Sequence, residues 1–426
     1  MQQDHLHAQY AELHAELLAR PFPVVSGQVM VSHCSVAFSV AEAEDHRRAV
    51  DALASHLQLV TTYAGRRYQI HRLAGVDFRI ERHTEFTSFM VIAPQSGKPF
   101  AESAFDLLAP TWLDSIPGKV IAAVEIASEV IASQNAGTAE TMDRISRCFD
   151  QERIIGAWVV ERDASVWSHF KLDNRNATRF LIHTHGCGAG RYGRLLQRLI
   201  EIEIYRMMAM LSLPLAQELL PEIETLESQH VSLVERIGLM DAGDERALLG
   251  DLTNLSLATE RLQARCGSRF SLTESYARIL TARLRELKEE QVPGYQTISE
   301  FFDRRLVQAL HTCETAYAGL NALSERLQST TGLLRTRVEV NLQSTNQLLL
   351  ASVDRRAEAQ LRLQHNVEGL SVVVLTYYLA SLVKLALEGI DAAGIHFDSH
   401  LAIALLLPLI AGAVWRTVRH FKQAGH

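Results

Sequence analysis

The chain has 426 residues, of which 47% are hydrophobic and 21% charged, with mean hydropathy near zero and a formal net charge of −7. That length leaves room for roughly two or three folded units, and the acidic balance, with no basic run longer than an arginine pair, argues against a nucleic-acid-tracking surface. Five cysteines, Cys34, Cys148, Cys187, Cys266 and Cys313, lack any C-x-x-C spacing, a pattern that suits single thiols in a reducing compartment rather than a disulfide frame or a zinc site.

The opening stretch, MQQDHLHAQYAELHAELLARPFP, carries charge throughout and lacks the apolar centre of a secretory signal, so the segments after it are expected to stay in the cytoplasm. Residues 28–38 (QVMVSHCSVAF) have strand composition, 42–57 have helical spacing, and 67–73, 76–83 and 86–93 are short β-rich runs joined like an antiparallel meander. Further strands are expected at 119–130, 154–161, 165–170 and 178–184, with a helical patch at 139–147. The first 188 residues therefore read as an α+β domain.

Candidate chemistry in this part is sparse. His71, Glu81, His83 and Glu85 fall on neighbouring strands, and the alternation of the last three puts them on one face, where a metal or acid–base site is conceivable; the exposed face of a half-buried strand has the same pattern. His183 and His185 share a face in the same way, and a strand end explains them equally. The glycine-rich stretch HGCGAGRYG (185–193) follows a strand and precedes a helix but matches G-x-G-x-x-G only loosely, with no acidic residue at the end of a second strand, so a domain-linking turn is preferred to a nucleotide loop.

From there the chain is expected to be helical: 191–213, 216–240, 245–266, 272–291, and one very long helix from Thr297. Within the first, Glu203 can pair with Arg206 and Glu201 with Tyr205, and Met207, Met208 and Met210 read as core filling. Ser271-Leu-Thr-Glu274 resembles a capping box at a helix start. In the long helix, positions 302, 306, 309, 313, 316, 320, 323, 327, 330, 334, 338 and 342 follow steps of four and three, the spacing of a coiled-coil seam. The seam serves either self-association or packing on the chain's own helices, and unbroken to Leu387 the helix is about 135 Å long.

It ends in the first of two apolar segments, 369–387 and 401–418, each near the length needed to cross a bilayer core of roughly 30 Å. Arg355, Arg356 and Arg362 stand before the pair and Arg416, Arg419, His420 and Lys422 after it, whereas the loop holds Glu388, Asp391 and Asp398. The positive-inside rule then places both termini in the cytoplasm. Asn366, Tyr377, Ser381, Lys384 and Glu388 form a polar stripe on the first segment, facing a pore, a neighbouring helix or, for Lys384, the headgroups. The expected layout is a cytoplasmic α+β domain (1–188), a helical domain (189–293), a coiled-coil stalk helix (294–367), a transmembrane hairpin (368–388 and 400–418, with an outer loop at 389–399) and a basic tail (419–426).

The segments HAELLARPFP (14–23), ERHTEF (81–86), LIEIEIYRMMAMLSLP (199–214) and the long block 333–374 resemble the bacterial domain-of-unknown-function family number 3422, whose members are described as uncharacterised membrane-anchored proteins. The resemblance spans essentially the whole chain and implies a membrane anchor and no settled activity; with both flanks cytoplasmic, the membrane expected is the bacterial inner one. In layout alone the chain is also similar to CorA-type magnesium channels, which are homopentamers. The Gly-Met-Asn filter of those channels is missing here, where Glu388-Gly389-Ile390-Asp391 stands instead, which argues against magnesium selectivity. The expectation is a homo-oligomeric membrane scaffold or sensor, with the lipid bilayer and a second copy as partners, an ion or protein partner left open, and no catalytic residue, cofactor or nucleic acid. A CorA-like channel is the alternative, and a membrane-bound enzyme ranks last.

Overall fold

Strand β1, Val29–Ala37, reads VMVSHCSVA and is buried on both faces, as expected for a nearly continuous apolar run at the centre of a sheet. A computed structural model of the chain describes residues 7, 9, 10, 14 and 21–424, apart from 66, 74, 133–135, 151, 240–243 and 393–398. Around β1 is built one mixed sheet from β2 (Val60–Ala64), β3 (Tyr68–Leu73), β4 (Val76–Arg82), β5 (Phe86–Pro94), β6 (Lys119–Val130), β7 (Ile155–Val159), β8 (Ala164–Ser168), β9 (Thr178–Thr184) and β10 (Glu290–Gln291), in the order β10-β7-β8-β9-β6-β1-β5-β4-β3-β2. Neighbours are antiparallel except β6 and β9, whose parallel pairing needs the crossover through α2 (Ala139–Cys148), β7 and β8.

The two faces of the sheet carry different cores. Odd positions of β1, such as Val29 and Val31, join Val124, Ile126, Phe180 and Ile182 beneath helix α3 (Ala189–Met210), which lays Leu195, Leu196, Leu199 and Ile202 on that face. Even positions, Met30, Cys34 and Val36, pack with Phe78, Phe89 and Trp112 under helix α1 (Ala43–His56) and two short 3-10 turns, Ala104–Leu107 and Leu113–Ser115.

Helices α4 (Leu213–Leu239), α5 (Glu245–Glu286), α6 (Ile298–Ala392) and α7 (Ser399–Ala424) complete the chain. The expected break between helices at 266 and 272 is corrected: α5 is continuous, and Ser271 lies inside it with its carbonyl accepting the Ser275 hydroxyl at 3.2 Å, so the Ser-x-x-Glu pattern there is no cap. Pro214, expected to end a helix, sits in the first turn of α4, where its missing N–H costs nothing.

The described chain groups into two compact units, residues 1–239 with 250–329, and residues 240–249 with 330–426. In the first, no break in packing occurs at residue 188: Leu280 and Leu284 of α5, Leu287 just after it, and Ile298, Phe302 and Leu306 of α6 belong to the same core as β1 and β6, and β10 extends the sheet edge. Further along, Cys313, Ala316 and Leu320 pack on Ala216, Leu219 and Ile223 of α4 and on Cys266 and Phe270 of α5. Within this unit the regular seam of α6 therefore serves packing on the chain's own helices.

The second unit holds the rest of α6, together with α7. Leu248 and Leu334 are buried in it, and Asn341 Nδ2 donates to Glu245 Oε1 at 2.6 Å. Beyond Leu342 nearly every described side chain of α6 is exposed or half-exposed. Among the described residues one helix, within Ile298–Gly389, is long and apolar enough to cross a membrane by length and composition, and Ile403–Val418 is a shorter apolar helix. Most of the expected outer loop, and the side chains of the basic tail 419–426, lie outside the described residues.

Candidate functional site

The odd face of β1 becomes polar at its middle, and there a small cleft forms. Strand register sets two rows across the sheet: His33 beside Met90 beside Arg79, and Ser35 beside Ser88 beside Glu81 beside Tyr68. Gln197, Ile200, Glu201, Ile204 and Tyr205 of α3 close over these rows, with Pro21 and Pro23 at one side, leaving about 30 Å³. That is room for roughly one water molecule.

Each polar group in the cleft is held differently. Arg79, only 7% exposed, donates through Nη1 to the Tyr68 hydroxyl at 2.8 Å and to the Pro21 carbonyl at 3.2 Å, with Asp77 Oδ2 at 3.8 Å from Nη2. His33 is fully buried, and desolvation, reinforced by the nearby His83, lowers its pKa to about 3, so its ring is neutral at physiological pH. His33 Nδ1 and Arg79 Nε have no hydrogen-bond partner among the described residues. A histidine that protonates only near pH 3 cannot act as a general acid near neutrality.

Two carboxylates, Glu85 and the cleft residue Glu201, are tied to α5. Glu85, in the turn between β4 and β5, accepts from Tyr276 Oη at 2.9 Å and from Arg269 Nη1 at 3.2 Å. Glu201 accepts from Gln197 at 2.8 Å and from Arg283 Nε. Tyr205 stacks on Tyr276, and the expected pair Glu203 and Arg206 forms, with Nε to Oε2 at 2.9 Å and a further bond to Glu203 from Thr178 Oγ1 at 2.9 Å.

The four residues grouped from sequence separate. Glu81 and His83 line the cleft, 3.5 Å apart. His71 lies on the opposite sheet face against Phe78, its Nδ1 3.0 Å from Thr61 Oγ1. Glu85 is off the strand altogether, because β4 ends at Arg82 and alternation stops with it. His183 Nε2 is 3.1 Å from Glu129 Oε2, whereas His185 donates from Nδ1 to the Ile131 carbonyl at 3.2 Å, so the two histidines serve separate partners. No group of three potential metal ligands occurs among the described residues. Burial raises the pKa of all five cysteine thiols, in Cys34 with the charge of Glu125 as a second cause.

The glycine stretch proves to be a packing device. Helix α3 begins at Ala189 with Gly188 as its N-cap, and Gly193 faces backbone: a Cβ there would lie 1.5 Å from the Pro23 carbonyl oxygen. Only a side chain of hydrogen lets residues 21–25 cross the helix so closely.

Glu125 of β6, on the other face, went unnoticed in the sequence. It accepts from Ser32 Oγ and Ser103 Oγ, both at 2.6 Å, and burial raises its pKa to about 7 against the lowering effect of those hydroxyls. Ser103 also caps the 3-10 turn Ala104–Leu107, and the Ala104 N–H donates to Ser32 Oγ at 2.8 Å.

Over residues 5–424 the sequence matches the family model described as a protein of unknown function, DUF3422. The chain belongs to that family. No curated protein matches it. In this DUF3422 chain the polar stripe of α6 lies in the open: Asn366, Tyr377, Ser381, Lys384 and Glu388 are all exposed, Tyr377 at 69%. Lys384 Nζ is 3.7 Å from Glu388 Oε1 one turn on, and Tyr377 meets the Tyr378 ring edge-on at 5.9 Å. His33, Arg79 and Glu125 had one available signal, a charged or titratable residue at the centre of an apolar strand, where burial demands a partner.

Proposed function

We propose that this DUF3422 chain is a homo-oligomeric bacterial inner-membrane protein whose body works in the cytoplasm as a scaffold or sensor, not as an enzyme. The observation that carries the reading is the apolar window toward the C-terminal end of α6, none of which is buried against the rest of the chain. Left in water, a run of that length exposes far more contiguous apolar surface than soluble monomers tolerate. The arginines at 355, 356 and 362 before it and Arg416 in the last turn of the second apolar helix support cytoplasmic flanks.

Two partly covered stripes support a hairpin: Val372, Thr376, Ala380, Val383 and Leu387 on α6, and Ile403, Ile410, Ala411, Val414 and Val418 on α7. Small and β-branched residues of this kind suit close helix packing in lipid. For the cytoplasmic body, the carboxylates Glu85 and Glu201 are occupied by partners on α5, which favours a binding or structural role over acid–base chemistry. The exposed stripe at 377, 381, 384 and 388 is the observation that keeps a CorA-like channel as the second reading.

Membrane fractionation of the full chain tests the anchor. The wild type sediments with membranes and resists alkaline carbonate, whereas Val374→Asp with Leu375→Asp is released or degraded, because each charge at mid-span costs about 3 kcal/mol. A wild-type chain extracted by carbonate would end the proposal.

A further inference from the structure

The seam that packs inside the body is not the seam that emerges from it. After Leu334, consecutive steps of four residues run through Val338 and Leu342, an irregularity that rotates the apolar stripe to a new face of α6. From there a strict seven-residue repeat resumes. Leu342, Leu349, Leu363 and Leu370 recur at one seam position, and Val353, Val367 and Val374 at the other. These seven side chains are between 44% and 66% exposed, on a face that nothing else in the described chain covers.

We propose that this second seam, from Leu342 into the membrane segment, binds a second copy of the same chain as a parallel two-stranded coiled coil. The inference rests on the membrane-anchored reading for its polarity: copies inserted in one bilayer present the same helix in the same direction. It rests on the side chains for its stoichiometry. Valine stands at the seam position reached by a four-residue step from leucine, as from Leu349 to Val353, and β-branched residues there with leucine at the other position select two strands. Asn346 and Gln360 fall on the valine position, where two amides can bond across the axis and fix register. Arg356, on the leucine position, opposes its own copy and weakens that layer. Between Leu342 and Val374 the seam is about 50 Å long and about 10 Å wide. Over two copies that is on the order of 1,000 Å², the threshold for specific association, before the membrane segment adds to it.

The same repeat accounts for the polar stripe. Tyr377, Ser381, Lys384 and Glu388 continue the seam at the same alternating steps, so they lie between the two helices, with Lys384 neutralised by Glu388. Two helices enclose no lumen.

Cysteine cross-linking of the full chain in native membranes tests this, using Leu349→Cys, Leu363→Cys and, off the seam, Ala351→Cys, each against the wild-type background under a mild oxidant. Leu349→Cys and Leu363→Cys should form disulfide-linked dimers at least about ten times faster than Ala351→Cys, since only a parallel pair brings identical seam positions together. The detergent-solubilised chain should have the mass of two copies. Equal rates at all three sites, or three or more copies by mass, overturn the inference. A chain that resists carbonate but shows no seam preference sinks this proposal alone; seam cross-linking in a carbonate-released chain sinks the anchor instead.

Discussion

Two buried titratable side chains on opposite faces of β1 and β6 pull stability in opposite directions with pH. His33 ionises near 3 in the fold against 6.5 when free, so between those values the unfolded chain binds more protons and stability rises with pH. Glu125 ionises near 7 against 4.5, so in its window the folded chain holds the extra proton and stability falls as pH rises. The Glu125 contribution is complete below about pH 4.5 and lost above about pH 7, with a size on the order of 3 kcal/mol. Chemical denaturation followed by tryptophan fluorescence should show Glu125→Gln gaining on wild type as pH rises from 5 to 8, and His33→Gln gaining as pH falls from 6.5 to 4. Parallel profiles for wild type and variants would show that neither group titrates as described.

At the level of elements, legibility in the sequence tracked burial. Strands with dense β-branched composition, such as β1, β5, β6 and β9, lie within a residue or two of their expected bounds. β2 has every residue exposed and no burial pattern to read, and β10 is two residues long, placed by pairing with β7 across some 130 positions of chain and by the Arg162–Glu290 ion pair. α5 was split because Ser271 and Glu274 mimic a cap, and only the unbroken backbone ladder distinguishes a capping box from two polar residues on a wet helix face. The clearest elemental prediction concerns α3. Gly193→Ala places a methyl group on the Pro23 carbonyl and must lift residues 21–25, with the buried Val25 and the Pro21 acceptor of Arg79, costing about 3 kcal/mol. Gly190→Ala, whose methyl meets nothing nearer than the Arg194 guanidinium at 3.7 Å, should be neutral or slightly stabilising. Thermal melts of both variants check this, and equal effects would mean that glycine is required there for some reason other than contact with Pro23.

For the whole molecule, the change in composition at residue 188 reads in the sequence as a boundary between domains, but the first unit closes only much later. Nine of the ten strands lie within residues 29–184, yet the face occupied by α3 also takes Leu280 and Leu284 from α5, Leu287 just after it, and Ile298, Phe302 and Leu306 from α6. Sequence pattern reports how each element is made, and it carries no record of which distant element covers it. A fragment ending at residue 188 keeps nine of the ten strands but leaves Val31, Val124, Ile126, Phe180 and Ile182 open to water. At roughly 1.5–3 kcal/mol per large apolar side chain, that loss is as large as the whole net stability of a typical domain. Residues 1–188 expressed alone should therefore be insoluble or bind a hydrophobic dye without near-ultraviolet circular dichroism, whereas residues 1–329, which retain all three helical contributors, should melt cooperatively and show near-ultraviolet circular dichroism from Trp112, Trp158 and Trp167. A soluble, cooperatively melting 1–188 fragment would mean that the sheet is a domain in its own right and that α5 and α6 only dock on it.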